Sequence, residues 1–273
     1  MTTLQSTAPA KVLLDIQDVS VTYGSGTRAT LALDHASLKV MTGEFVSVVG
    51  PSGCGKSTLM HVIAGFLQPT SGTILLNGTP VRAPGSDRTV MLQQPTLFPW
   101  LSVFENVELG PRSRGVPRDE RQQTVRHYLD LVGLSAAQHR KPYELSGGMQ
   151  QRASLARALA NDAEMLLVDE PFGALDALTR ERMQREIVRI WHETGKTILF
   201  ITHDVEEAVF CSTSVVVMEA HPGRIVEKLE LPFSLRYAQR RQNSRAIKSS
   251  PDYIAVREQV LAKVMKDEGE EAW

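Results

Sequence analysis

The chain has 273 residues, with 30 Lys plus Arg against 31 Asp plus Glu and 42% hydrophobic residues. That length can bury a core without disulfides or metals, and a formal net charge of -1 gives no general attraction to nucleic acid or another acidic polymer. The two cysteines, Cys54 and Cys211, form no framework and suit a reducing compartment; no apolar run approaches the ~18 residues needed to cross a bilayer.

Residues 1–11 lack a basic start and a long apolar stretch, which predicts a flexible arm rather than a secretory signal. From Leu14 to Tyr23 apolar residues partly alternate. After Gly24-Ser25-Gly26 a run through Leu31, Leu33, Leu38 and Val40 does the same, predicting an antiparallel opening. Phe45-Val46-Ser47-Val48-Val49 reads as a buried strand running into Gly50-Pro51-Ser52-Gly53-Cys54-Gly55-Lys56-Ser57, and Thr58 onward as the helix that leaves that loop. Gly72 to Leu76 with an Asn77-Gly78 turn, then Arg88 to Leu92, read as short strands. Pro95, Pro99, Pro111 and Pro117 punctuate a stretch that turns helical, with Val125, Leu129 and Val132 on one face and Gly133 as its stop. Residues 146–160 read as a loop feeding a helix, and Glu164 to Asp169 as a strand buried on both faces.

A helix from about Asp176 to Glu193, a strand at Thr197 to Ile201, a helix at Val205 to Phe210 and strands near Ser214 to Met218 and Arg224 to Leu229 complete an α/β alternation. Beyond Pro232 the residues Arg236, Arg240, Arg241, Arg245 and Lys248 share a window without an acid. Such a run reads first as a solvated face, with lipid contact or regulation as the alternatives. A helix from about Tyr253 to Met265 and an acidic end follow.

Three stretches carry chemistry. The loop from Gly50 to Ser57 fits the phosphate-binding pattern of two fixed glycines, a lysine and a hydroxyl residue between a strand and a helix. Its backbone N–H groups and the helix N-terminus would hold phosphate oxygens, Lys56 would reach the β- and γ-phosphates, and Ser57 would offer a hydroxyl to Mg2+. Asp169 and Glu170 stand at the carboxyl end of a buried strand, where open α/β sheets bind ligands. Asp169 is expected to hold Mg2+ beside Ser57, and Glu170 to act on the attacking water as general base. Leu145-Ser146-Gly147-Gly148-Met149 precedes a helix and makes a second anion-binding N-terminus. One ATP does not need both cradles in one chain, so the second is expected to serve another molecule's nucleotide.

Taken in order, these motifs resemble those of the ATP-binding cassette family, the nucleotide-binding subunits of ABC transporters, over about residues 14–232. Tyr23 is placed like the adenine-stacking aromatic and Gln93 like the Q-loop glutamine. The signature, Asp169-Glu170, a D-loop at Gly173-Ala174-Leu175-Asp176 and a switch histidine at His203 follow. Gln94 rivals Gln93 by position, and the count back from Pro99-Trp100 favours Gln93. Gly173 departs from the serine of many relatives.

The resemblance implies an α/β fold of the ABC-type P-loop NTPase class, with a RecA-like parallel core, an N-terminal antiparallel β part and a helical subdomain at about 95–160. The ATP-binding domain would span 12–235, with 236–273 as a C-terminal tail carrying a helix. It implies ATP and Mg2+ as cofactors and a head-to-tail dimer of two copies, or a close equivalent, in which Ser146, Gly147 and Gly148 of one close over ATP held by Gly50–Thr58 of the other. Catalytic residues would be Glu170, His203, Gln93 and Lys56; Ser57, Gln93 and Asp169 would hold the metal.

The sequence from Leu97 to Trp100, the run after Asp169-Glu170 and Pro222-Gly223-Arg224-Ile225 are similar to importers for nitrate, sulfonate, taurine and related solutes. That subgroup implies a peripheral place on the cytoplasmic face of the membrane, two transmembrane permease subunits meeting the segment near Pro99-Trp100-Leu101, a solute-binding protein beyond them and no nucleic-acid partner. A soluble ABC ATPase that remodels a macromolecule, and an export subunit, are the alternative readings.

Overall fold

The computed structural model describes residues 11–173, 175–240 and 243–266. Most of the expected N-terminal arm, Ala174 of the expected D-loop, Arg241 and the acidic end lie outside the described residues.

The chain opens with β1 (Val12–Tyr23), β2 (Thr30–Met41), β3 (Phe45–Val49), α1 (Lys56–Ala64), β4 (Ser71–Leu76), β5 (Thr79–Pro80) and β6 (Arg88–Met91). Helices α2 (Val103–Ser113), α3 (Arg118–Leu131) and α4 (Gly147–Ala160) follow, then β7 (Met165–Asp169), α5 (Ala177–Thr194), β8 (Thr197–Ile201), α6 (Val205–Cys211), β9 (Ser214–Glu219) and β10 (Arg224–Glu230). The chain continues into α7 (Phe233–Arg240), α8 (Ser244–Lys248) and α9 (Pro251–Lys266). Among the described residues the strands make two sheets: an antiparallel one in the order β2-β1-β4-β5, and a second in the order β10-β9-β3-β8-β7-β6. The second is parallel from β9 to β6, with β10 antiparallel at its edge.

The central strands are apolar at nearly every position because both their faces are covered, and period-two alternation divides their side chains between two cores. Val46, Val48, Leu167, Leu199, Ile201, Val216 and Met218 point with α1 toward the antiparallel sheet. Phe45, Val49, Leu166, Val168, Ile198, Phe200, Val215 and Val217 point the other way, into a core shared with α2 to α6. Phe200 meets Phe45 and Phe172 there with ring centroids 5.9 and 5.6 Å apart.

Among the described residues of the basic run after Pro232, Arg245 is exposed, but apolar residues spaced among the charges are buried. Phe233, Ile247, Tyr253 and Val260 are buried in the same core as Phe200, and the Phe233 and Tyr253 rings meet edge-on at 5.0 Å. Arg236 pairs with Asp252, and Lys248 with Glu206. Large apolar residues spaced between the arginines supply the burial that the charge pattern conceals. The described part of 236–273 is therefore a packed lobe of helices rather than a tail with a single helix.

Candidate active site

Strands β3, β8, β7 and β6 are consecutive neighbours, and their carboxyl ends point the same way because all four are parallel. The Gly50–Ser57 loop leaves β3, His203 follows β8 by two residues, Asp169 ends β7 with Glu170 next, and Gln93 lies just past β6. Sheet order thus gathers side chains far apart in sequence along one edge, the place where open α/β sheets bind ligands.

The loop after β3 is fitted between the two sheets. A Cβ at Gly50 would stand 2.5 Å from the Met218 carbonyl oxygen and 2.7 Å from Cys54 Sγ. At Gly55 it would stand 2.7 Å from Leu33 Cδ2, on a backbone with φ of 88°. Gly55 is also the N-cap of α1, and no side chain caps that helix. Its first amides therefore face the loop with the helix dipole behind them, a site suited to phosphate. The Lys56 ammonium is buried and donates to the Gly50 and Pro51 carbonyls at 2.8 and 2.9 Å. Ser57, Ser52 and Gly53 are exposed on the loop, Pro51 is buried, and Thr58 is half-buried with its hydroxyl 3.3 Å from that of Tyr23. Tyr23 is exposed at the end of β1, so its ring face is free to stack. Burial pushes the Cys54 thiol up, and burial pushes Cys211 well up, so both stay thiols.

Glu170 is the point where the site converges. Its Oε2 accepts from Gln93 Nε2 at 3.2 Å, and its Oε1 lies 3.3 Å from His203 Nδ1. Its own amide donates to the Ile201 carbonyl at 2.9 Å, tying it to β8. It adopts a φ of 40°, a left-handed conformation that costs a non-glycine residue on the order of 1 kcal/mol or more and holds only where surroundings enforce it. Gln93 rather than Gln94 reaches this carboxylate. Gln94 lines a separate groove with Phe98 and Leu109.

Asp169 beside it is treated differently. Burial, then the neighbouring Glu170, pushes its carboxyl up, while His61 and Lys56 pull it down. Among the described residues no side-chain hydrogen bond to the Asp169 carboxylate is present. A half-buried carboxylate in that position, with the Ser57 hydroxyl and the Gln93 amide oxygen as hard oxygen donors, fits Mg2+.

The second cradle lies apart. Ser146 caps α4, its Oγ accepting from the Met149 amide at 3.4 Å, and Ser146, Gly147 and Gly148 line a cavity of about 720 Å3 with Leu175, Asp176 and Thr179. None of Gly50 to Thr58 lines that cavity, so the two segments of one chain do not share it. Gly173 sits close to the catalytic side, where a Cβ would stand 3.6 Å from Gln93 Nε2.

The family model for the ABC transporter matches residues 33–173. The chain belongs to the ABC transporter family. Among its relatives, the taurine import ATP-binding protein TauB of Chromobacterium violaceum is 50% identical over 255 residues, which are 93% of this chain and 97% of that protein. TauB of Roseobacter denitrificans is 48% identical over 239 residues, 88% of each chain. The ATP-binding cassette MJ0796, solved as a dimer in a post-hydrolysis state with ADP and Pi, is 31% identical, covers 80% of this chain and 99% of its own, and superposes with a TM-score of 0.68. The cbiO1 structure from Clostridium perfringens shares the fold, with a TM-score of 0.74 over 92% of this chain and 100% of its own at 24% identity. The chain is accordingly an ABC-type ATPase with the α/β cassette fold.

Within this ABC cassette the sequence left some connecting residues unread. Arg157 in the last turn of α4 donates to Thr96 O at 2.8 Å and Thr96 Oγ1 at 2.9 Å, and its guanidinium lies 6.0 Å from the Phe98 ring centroid. One helix therefore carries the second cradle at one end and grips the segment after Gln93 at the other. Nothing in the local pattern of α4 distinguishes Arg157 from Arg152, because its partner lies 61 residues away in the chain. Among the described residues, no helix is long and apolar enough to cross a membrane.

Proposed function

We propose that the chain is the ATP-binding subunit of an ABC importer that takes up taurine or a related small sulfonate, acting as a pair of copies beneath two permease subunits on the cytoplasmic face of the membrane. The observation that carries the hydrolytic part is the Glu170 carboxylate held between Gln93 Nε2 and His203 Nδ1 at the edge shared with the phosphate loop. The solute class rests on relatives named for taurine import at about half identity over nearly the whole chain.

In this reading Tyr23 stacks on adenine. Amides from Gly50 to Thr58, those of Pro51 excepted, take the phosphates, and Lys56 leaves its loop carbonyls for the β- and γ-oxygens. Mg2+, when bound by Ser57, Asp169 and Gln93, neutralises charge on the transferred phosphoryl group. Glu170 accepts the proton of the attacking water, and His203 fixes its orientation and contacts the γ-phosphate. Ser146, Gly147 and Gly148 of the second copy close the other side. The amide Nε2 of Gln93 is committed to Glu170, which leaves its oxygen for the metal and makes Gln93 the link to the segment beyond it.

That segment suits a permease contact. Trp100 is 68% exposed and Tyr143 73% exposed, and Lys141 donates to the Trp100 carbonyl at 2.9 Å, joining the two stretches. Beside them Val90, Met91, Phe98, Leu109 and Ala158 line a groove of about 620 Å3. Exposed aromatics next to an apolar groove are the usual anchors of a protein contact. The test is uptake of radiolabelled taurine by cells expressing the chain with its permease and solute-binding protein. Glu170→Gln is expected to abolish uptake; uptake at the unsubstituted rate would overturn the reading.

A further inference from the structure

The basic stretch after Pro232, which the ATPase reading does not use, is joined to the catalytic edge by a series of polar contacts through the start of α6. Lys248 of α8 donates to Gln184 Oε1 at 3.0 Å and to Glu206 Oε1 at 2.8 Å, and its ammonium lies 4.9 Å from the Phe210 ring centroid. Gln184 is 3% exposed, in the middle of α5. Glu206 and Glu207 stand in the first turn of α6, where their amides donate to Asp204 Oδ1 at 2.8 and 3.2 Å. Glu207, 4% exposed, accepts from Thr202 Oγ1 at 2.7 Å. Thr202 is 1% exposed and precedes His203; its amide donates to the Val48 carbonyl at 3.2 Å, and its Oγ1 accepts from the Asp204 amide at 3.0 Å. The backbone before His203 is thus held by the Thr202 amide, and the backbone after it by the Thr202 hydroxyl.

The arrangement is difficult to read as packing alone. A buried carboxylate is costly unless it is hydrogen-bonded, and hydrophobic residues of similar volume would fill the same space more cheaply. Arg180, whose Nε lies 3.7 Å from Glu207, reaches the Leu175 carbonyl at 3.1 Å, so the same carboxylate faces the loop that carries Asp176. The His203 side chain is 64% exposed, with no side-chain hydrogen bond among the described residues other than its contact with Glu170. Its position depends on its backbone.

We propose that Lys248, Glu206, the Asp204 cap, Glu207 and Thr202 form a positioning relay by which the C-terminal lobe sets the His203 backbone against Glu170, making that lobe part of the hydrolytic machinery. The inference rests on the roles given above to Glu170 and His203. Lys248 and Glu206 touch no substrate and act only through His203.

The test is steady-state MgATP hydrolysis by the full chain carrying Lys248→Met, which keeps the stem over Phe210 and removes the charge, beside Lys248→Arg, Thr202→Val and the Lys248→Met/Thr202→Val double variant. Lys248→Met is expected to lower kcat by roughly 5-fold with KM for ATP unchanged, and Lys248→Arg to restore at least half of it. The double variant is expected to be no slower than Thr202→Val alone, because both substitutions cut one relay. If Lys248→Met lowers the melting temperature while kcat per folded molecule stays normal, or if the two effects multiply, the relay is overturned. Should Lys248→Met not fold, Lys248→Gln is read by the same criteria. Glu170→Gln, run in parallel, separates the two claims: normal turnover there removes the underlying assignment, whereas an inactive Glu170→Gln with normal Lys248→Met removes only the relay.

Discussion

Asp169 and Glu170 are adjacent carboxylates whose surroundings divide the labour between them. Glu170 is surrounded by groups that orient it, Gln93 and His203, on a strained backbone that fixes its direction. Asp169 is half-buried, pushed up by burial and by Glu170, with only Lys56 and His61 in opposition. A carboxyl raised in the folded state disfavours folding once it ionises. That cost is absent below its ordinary pKa of 3.8 and fully present above the raised one. Asp169→Asn is therefore expected to raise the melting temperature of the nucleotide-free chain at neutral pH, the gain shrinking as pH falls toward 3.8, while hydrolysis falls by roughly 10²-fold or more with loss of the proposed metal ligand. Calorimetry across pH with a parallel phosphate-release assay reads both, and a destabilised variant at pH 7 would contradict it. For Glu170→Gln, ATP binding is expected to persist while turnover drops by roughly 10²-fold, the scale of a lost general base.

At the level of elements, strands and site loops were legible because their signals are local. Val46, Val48 and their neighbours are apolar at every step, and Gly50 to Ser57 carries its chemistry in eight consecutive residues. Sequence singles out Gln93 over Gln94 only by counting from Pro99-Trp100, because its contact with Glu170 spans 77 residues of chain. The C-terminal helices were not legible. Five cations within a short acid-free stretch dominate the pattern, whereas Phe233, Ile247 and Tyr253 find their partners only when the chain folds back on α6. The relay was equally hidden, because a buried glutamate in α6 looks like any other charge in a helix.

The start of α9 offers a test at this scale. Asp252 is held at about 2 by the Ser250 hydroxyl and then by Arg236. A depressed carboxyl adds stability above its ordinary pKa of 3.8 and loses it as pH falls through about 2, a modest contribution at so exposed a site. Carboxyl-detected NMR is expected to place its midpoint near 2, and Arg236→Ala to move it upward toward 3.8. A midpoint unaffected by that substitution would contradict the pairing.

For the whole molecule, the central fact is that the phosphate-loop segment and Ser146 to Gly148 do not meet. The phosphate loop sits at the edge of the parallel sheet, and Ser146 to Gly148 open into a different cavity beside α5. Arg157 couples the cradle-bearing helix to the segment after Gln93, so closing a second copy onto ATP would move the exposed aromatics around Trp100 with it. ATP would then act both as fuel and as the ligand that brings two copies together. Sedimentation of the Glu170→Gln chain with MgATP tests this most directly. A dimer that forms with ATP, disperses without it and is lost when Ser146 is replaced by arginine is the predicted result; a chain that stays monomeric at saturating MgATP would contradict the account.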